Sequence, residues 1–243
     1  MATYTYDPAY WPDFAAGNRL EWVLTSGNGA YAGGSLIGGR NRTHQGYLVA
    51  SLNPPTQRYV VLDQICEYVR VGSTDYDLET LQRRGGEYTE GQKYLKRVTY
   101  DGTVRFEYEL PPAHACESSD CVVGISKHIA LVRDENTVAV LYTFTNYSAD
   151  EAKIYLTPKF NYREHNTLTS QDDLSFLSLL TGDTLSLIPV SNEKVRVDFS
   201  VSEGTFLKLS DKYDPDVELQ TEVELETEGL CTSYMPYDIE ITI

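Results

Sequence analysis

Three short turns, two of them dipeptides and one a tetrapeptide, each set between β-rich runs, constrain this chain more than any other feature. Asp101-Gly102 separates Leu95–Tyr100 from Thr103–Leu110, and Gly182-Asp183 separates Leu174–Thr181 from Thr184–Val190. Arg133-Asp134-Glu135-Asn136 separates Cys121–Val132 from Thr137–Thr145. An Asp-Gly pair between β-branched and aromatic runs is the strongest short-range hairpin signal. Val195, Val197, Phe199 and Val201 alternate with polar residues, as do Val217, Leu219, Val223 and Leu225 with glutamates. Period 2 with one polar face is the pattern of a half-buried antiparallel strand. The glutamates between 218 and 228 therefore read as a solvated sheet face, not a metal site. Tyr59–Leu62 and Ile65–Val71 add two strand candidates, and Ala152–Phe160 continues the meander. Asp75–Gln92 reads as a loop, Met1–Asn18 as an extended lead-in with one short strand. Weak helical character over Asp172–Leu180 leaves a helix open there. The fold class is all-β: a large antiparallel β-sandwich occupying residues 1–243 as one domain.

The densest motif lies between Glu21 and Pro55. Seven of the seventeen glycines fall between Gly27 and Gly46, flanked by the apolar segments Trp22–Leu24 and Tyr47–Leu52. Glycine serves where φ must be positive or where backbone passes close to another group. Gly27-x-Gly29-x-x-Ala32 satisfies a loose dinucleotide fingerprint, but that motif works only between a strand and a helix N-terminus. Gly33-Gly34 and Gly38-Gly39 make a poor first helical turn. No Gly-Lys-Ser/Thr occurs, so a Walker loop is absent. The run is instead a tightly folded loop-and-strand unit, ended by Asn53-Pro54-Pro55 because proline cannot donate to a sheet ladder.

This segment resembles the start of the bacterial and archaeal type of glycogen debranching enzyme (amylo-alpha-1,6-glucosidase). The residues that carry the resemblance are Glu21-Trp22, Thr25, Gly27, Gly29, Tyr31-Ala32 and Gly34, then Arg40 to Gly46, then Pro54-Pro55. Ala30 stands where a glycine is usual, and Thr43-His44-Gln45-Gly46 where Arg-Tyr-His-Gly is usual. Tyr94–Arg97, Asp134–Val138 and Pro158–Thr169 also look like their counterparts, and the likeness fades beyond about Ser202. The resemblance implies a large β-sandwich placed before an α/α toroid, as in glucoamylases, with the catalytic carboxylates in the toroid. Alternating Ile239, Ile241 and Ile243 read as a chain cut at that domain boundary, since frayed ends are usually polar.

Lys and Arg number 20 against 36 Asp and Glu, a net charge of −16. Such a charge repels phosphate backbones and anionic lipid, which argues against nucleic acid and membranes as partners. A neutral α-glucan is compatible with it, and 19 Tyr with 2 Trp offer flat faces for sugars. Cys66, Cys116, Cys121 and Cys231 form no Cys-x-x-Cys pair and read as reduced thiols of a cytoplasmic protein. The N-terminus has neither a basic segment nor an apolar core of a signal peptide.

No catalytic residue, cofactor or metal is assigned. Thirty-six acids offer many pairs and no motif selects one for glycoside chemistry. No Gly-x-Ser-x-Gly elbow is present, and His44, His114, His128 and His165 lack metal-ligand spacing. Two polar clusters remain as candidate substrate-binding residues: Arg40, Arg42, His44 and Gln45 after the glycine run, and Tyr162, Arg163 and His165 after a strand. They either pair with nearby carboxylates and fix loops, or lie side by side, facing the toroid and reaching toward bound glucan. The function read from this is a non-catalytic N-terminal domain that docks on the catalytic domain of the same polypeptide and contacts α-glucan. The alternatives are a free-standing, lectin-like carbohydrate-binding module, or an enzyme complete in these residues.

Overall fold

The computed structural model describes residues 2–112, 121–219 and 229–243. After β1 (Tyr4–Tyr6) comes a short helix α1 (Phe14–Asn18), capped by Asp13, whose carboxylate accepts from Ala16 N at 2.7 Å. Then follow β2 (Glu21–Thr25), β3 (Tyr31–Ser35), β4 (Gly46–Asn53), β5 (Thr56–Val71) and β6 (Thr74–Asp77), each antiparallel to the one before. The glycine run is therefore a β2–β3 hairpin with no helix after it, which removes the dinucleotide reading.

A second run comprises β7 (Leu95–Tyr100), β8 (Val104–Leu110), β9 (Val123–Leu131) and β10 (Val138–Asn146). With β1 at its edge it forms a five-stranded sheet in the order β1-β7-β8-β9-β10. The hairpins expected at Asp101-Gly102 and at 133–136 are both present. The remaining strands are β11 (Ala152–Glu164), β12 (Phe176–Thr181), β13 (Thr184–Pro189), β14 (Val197–Ser200), β15 (Thr205–Lys208), β16 (Tyr213–Glu218), β17 (Leu230–Tyr234) and β18 (Tyr237–Thr242). The third expected hairpin is β12–β13, and β14 completes a separate three-stranded sheet.

Sequence and structure differ at four places. β11 does not continue the meander; it leaves β10 and pairs with β5 from Ala152↔Val71 to Glu164↔Tyr59. That union founds a ten-stranded sheet in the order β15-β18-β11-β5-β4-β3-β2, with β6 on β5 and with β17 joining β11 to β16. The two strand candidates around Asp63 are one sixteen-residue strand, β5. The stretch read as a loop over 75–92 holds most of β6 and a bridge between Gln82 and Tyr88. The helical alternative over 172–180 resolves into one 3-10 turn, Gln171–Asp173, followed by β12. Of the acidic alternation, Val217 is buried in β16, while 220–228 lies outside the described residues.

The ten-stranded sheet has two unlike faces. Leu62 opposite Phe160, Glu67 opposite Leu156 and Val69 opposite Ile154 point to one of them. On that face the five-stranded sheet brings Phe106 to within 6.2 Å of the Trp22 ring, and the three-stranded sheet brings Phe199 to 5.5 Å from Phe160. Both smaller sheets thus form one layer over one face, the sandwich that the alternation predicts. Each fully buried Phe or Leu there contributes roughly 1.5–3 kcal/mol. Within that layer Lys127 reaches Glu67 at 2.7 Å and stands 4.9 Å over the Tyr47 ring. The opposite face carries Lys159, whose Nζ contacts Asp214 Oδ2 at 2.5 Å and also Glu79.

Glycine is required where the β2–β3 turn meets the end of β4. Gly29 has φ +99°, and a Cβ there would lie 2.6 Å from the Pro55 carbonyl oxygen. Gly85 has φ +92° with no atom within 4 Å of its Cβ position. Left-handed backbone costs an L-residue roughly 1–2 kcal/mol by itself. Gly85→Ala is therefore expected to lose about 1 kcal/mol and Gly29→Ala clearly more, at least about 2 kcal/mol. Urea unfolding of both variants checks the order; equal losses would show that the Pro55 contact does not matter.

Candidate functional site

The two polar clusters, more than a hundred residues apart in sequence, converge on the face of the large sheet opposite the smaller sheets. The cause is a pair of register breaks between β5 and β11. Lys159 pairs with Gln64 but Phe160 with Leu62, so Asp63 is an extra residue on β5. From Phe160↔Leu62 to Arg163↔Val60 one residue is extra on β11. Bulges re-aim side chains out of the regular alternation, and here they aim Asp63, Asn161 and Arg163 into one polar interior.

Asp63 is the centre. Arg40 Nη1 lies 2.8 Å from its Oδ1, and Arg163 Nη2 lies 3.6 Å from the same atom. Its Oδ2 accepts from Ser233 Oγ at 2.6 Å and from Asn161 Nδ2 at 3.0 Å. Burial alone would raise this carboxyl, but Arg40, then Arg163, and then the two hydrogen bonds hold it below the ordinary carboxylate value of 3.8. Burial acts to lower Arg40, but Asp63 together with the weaker pull of Cys231, Asp214 and Cys66 raises the guanidinium above its ordinary value and holds it charged. Asn161 also donates to the Thr232 carbonyl at 3.0 Å and accepts from Thr169 Oγ1 at 3.0 Å. Arg163 Nη1 donates to the Thr167 carbonyl at 2.9 Å, which ties down the loop after β11.

The rest of the first cluster surrounds Arg40. Gln45 is buried, and its Oε1 accepts from Asn41 N at 2.7 Å and Arg42 N at 3.3 Å, closing the turn. Arg42 points to the surface, where its Nε meets Glu21 Oε1 at 2.6 Å. His44 offers its carbonyl to Tyr31 Oη at 2.7 Å, and the same Tyr31 ring meets the His165 ring edge-on at 6.5 Å. Burial pushes the Tyr31 hydroxyl up to about 12 despite Arg58 and Arg163, so it remains a donor at neutral pH. Asp63 and Tyr31 are thus two separate junctions between the clusters.

Arg40 and Arg163 are 3 % and 4 % exposed, so both guanidiniums serve the interior. Arg42, His44, Tyr162 and His165 keep partial exposure. Tyr162 stacks on Tyr59 with ring centroids 4.8 Å apart, and Asn192 Nδ2 donates to its hydroxyl at 2.7 Å. These residues, with Glu164 and Asp173, line an open cleft of about 340 Å³ whose base is Arg163. An aromatic platform ringed by amide and carboxylate groups can stack a sugar ring and bond its hydroxyls.

Sequence reasoning did not single out Asp63, Asn161, Ser233, Tyr59 or Asn192. One signal was present: Asp63 is a carboxylate inside the apolar run Val60-Val61-Leu62-Asp63-Gln64-Ile65, and a buried charge requires a partner. Cys66, Cys121 and Cys231 carry free thiols, while Cys116 lies outside the described residues. Burial pushes the Cys66 thiol well up, away from the reactive thiolate. Among the described residues no group of His, Cys, Asp and Glu is arranged to hold a metal, and no helix is long and apolar enough to cross a membrane.

Fold and polar groups together define a class: an all-β sandwich whose large sheet carries a buried network around Asp63, with an open polar cleft between the end of β11 and the β13–β14 connection. The particular family follows from comparison. The sequence model of the family described as glycogen debranching enzyme N terminal matches residues 20–243, and the chain belongs to that family. No curated protein sequence matches the chain.

Asp63→Asn is expected to destabilise the chain by roughly 3–5 kcal/mol at neutral pH, because both arginines lose their buried partner. A carboxyl held low in the folded state stabilises above its unfolded value of 3.8 and loses that contribution as pH falls through the folded value. The stability gap between wild type and Asp63→Asn should therefore narrow below about pH 4. Urea titrations at pH 7 and pH 3 check this; a constant gap would exclude an ionised Asp63.

Proposed function

We propose that this chain is the non-catalytic N-terminal domain of a debranching-type α-glucosidase. In this reading it docks on a C-terminal α/α-toroid catalytic domain of the same polypeptide and contacts α-glucan. The family supports the placement at the N-terminal side of a larger polypeptide. The observations that support glucan contact are the meeting of two sequence-distant loops at Tyr31 and, next to the second loop, the Tyr59–Tyr162 pair in an open polar cleft. Arg40, Gln45 and Arg163 then act from within, setting the loops, while Tyr162, Arg42, His44 and His165 present the groups that meet glucan or the partner domain. The division suits a neutral, hydroxyl-rich ligand: stacking needs a flat ring held in place, and the Asn192 bond fixes that of Tyr162.

Titration of the chain with a linear maltooligosaccharide tests the reading. Binding should fall at least about 10-fold, or ~1.4 kcal/mol, in Tyr162→Ala with the unfolding midpoint little changed. The chain alone should release no glucose from limit dextrin, since its role here is contact. Equal affinity in wild type and Tyr162→Ala would remove the cleft from the glucan path.

A further inference from the structure

The layer over the large sheet is split. The five-stranded sheet ends on β10 and the three-stranded sheet on β14, and among the described residues nothing pairs with the outer edge of either. Between these edges lies a groove of about 780 Å³. Its floor is the inner face of the large sheet, with Leu62, Leu156, Phe160 and Ile239, and its walls include Leu141 and Phe199. The opening is bounded on both sides by unpaired strand backbone over an apolar base. A strand is the element that satisfies both surfaces at once, since its backbone pairs sideways while alternate side chains point down.

β10 is a bare edge beside the groove. Its nine residues, Val138-Ala-Val-Leu-Tyr-Thr-Phe-Thr-Asn146, include no charge, proline or glycine, and Leu141 is 64 % exposed. Natural edge strands are normally blunted by charge, proline or a bulge, because a bare edge templates pairing with another chain. β9 and β10 pair without a register break along all nine residues, so no bulge turns this edge away. The outer edges of the large sheet do carry charge, Glu21 on β2 and Lys208 on β15, while β1 and β12 at the far edges of the smaller sheets are uncharged but do not line the groove. The bare edge coincides with the groove.

The occupant follows from where the chain leads. The family is the N-terminal part of a larger polypeptide. Ile243 lines this groove, and its backbone exchanges hydrogen bonds with Ala152 at 2.9 and 3.0 Å, which fixes its position at the groove's end. We propose that an extended segment of the polypeptide continuing past Ile243 enters the groove as an added strand along β10. Every second side chain of that segment would be apolar and face Phe160 and Leu156. At about 3.3 Å per residue, six to eight residues would span most of β10. The inference rests on the family and the groove, and is independent of glucan contact.

Backbone hydrogen exchange in the 243-residue chain and in the complete polypeptide tests it. Amides of β10 are expected to exchange at least 10-fold more slowly in the complete polypeptide. Leu141→Lys, at an exposed position of the edge, should return them toward the rate of the 243-residue chain without altering that chain's own unfolding. Equal β10 exchange in both forms would overturn the proposal. So would slow exchange that Leu141→Lys leaves unchanged, which means cover without strand pairing. Protection already present in the 243-residue chain and lost on dilution would assign the edge to a second copy.

Discussion

A single buried carboxylate organises the polar side of this sandwich. Asp63 sits at a bulge in β5 and gathers Arg40 from beyond β3, Asn161 and Arg163 from β11, and Ser233 from β17. A charge in such a place is costly unless paired and hydrogen-bonded, and a half-satisfied one costs more than an apolar substitute. The network answers with hydrogen bonds from Ser233 and Asn161 on Oδ2 and with the charges of two guanidiniums facing Oδ1, which pair with it without a hydrogen bond. It follows that the glycine-rich unit and the loop after β11 have positions defined relative to each other, although sequence separates them widely.

The two faces of the large sheet have different tasks. The inner face joins the layers: Glu67, itself buried, receives Lys127 at 2.7 Å and the Tyr142 hydroxyl at 2.5 Å across the interface. The outer face is held by polar pairs instead, with Lys159 between Glu79 and Asp214, and Arg83 closing on the same two acids. A sheet whose one side is mainly apolar around the Glu67–Lys127 pair, and whose other side is dense in ion pairs, can hold the two loops on the second side without weakening its core.

Much of this was legible in sequence, for local reasons. Asp101-Gly102 and Gly182-Asp183 encode their turns in the dipeptide itself, and Val197 and Phe199 declare a strand by alternation. The glycine run, too, could be separated from a nucleotide loop because Gly33-Gly34 cannot start a helix. What was hidden is non-local. Nothing in Ala152–Phe160 tells that β11 abandons β10 for β5, since partner choice depends on which apolar face finds cover. The two bulges break the alternation where the site is built, so Asp63 fell in the gap between two strand candidates. The clusters meet at a shared carboxylate that pairs with Arg40 and Arg163, while Arg42 turns outward to Glu21. The family likeness, legible in the residues to about Ser202, extends through residue 243 in the family match.

The most direct test of this organisation is a double-mutant cycle on Arg40 and Arg163, both replaced by Met and followed by urea unfolding. If both arginines compensate one carboxylate, the two losses must be non-additive by at least about 1 kcal/mol, because each substitution changes what the other guanidinium offsets. Losses that sum to within about 0.3–0.5 kcal/mol would mean two independent contacts, and would contradict a network centred on Asp63.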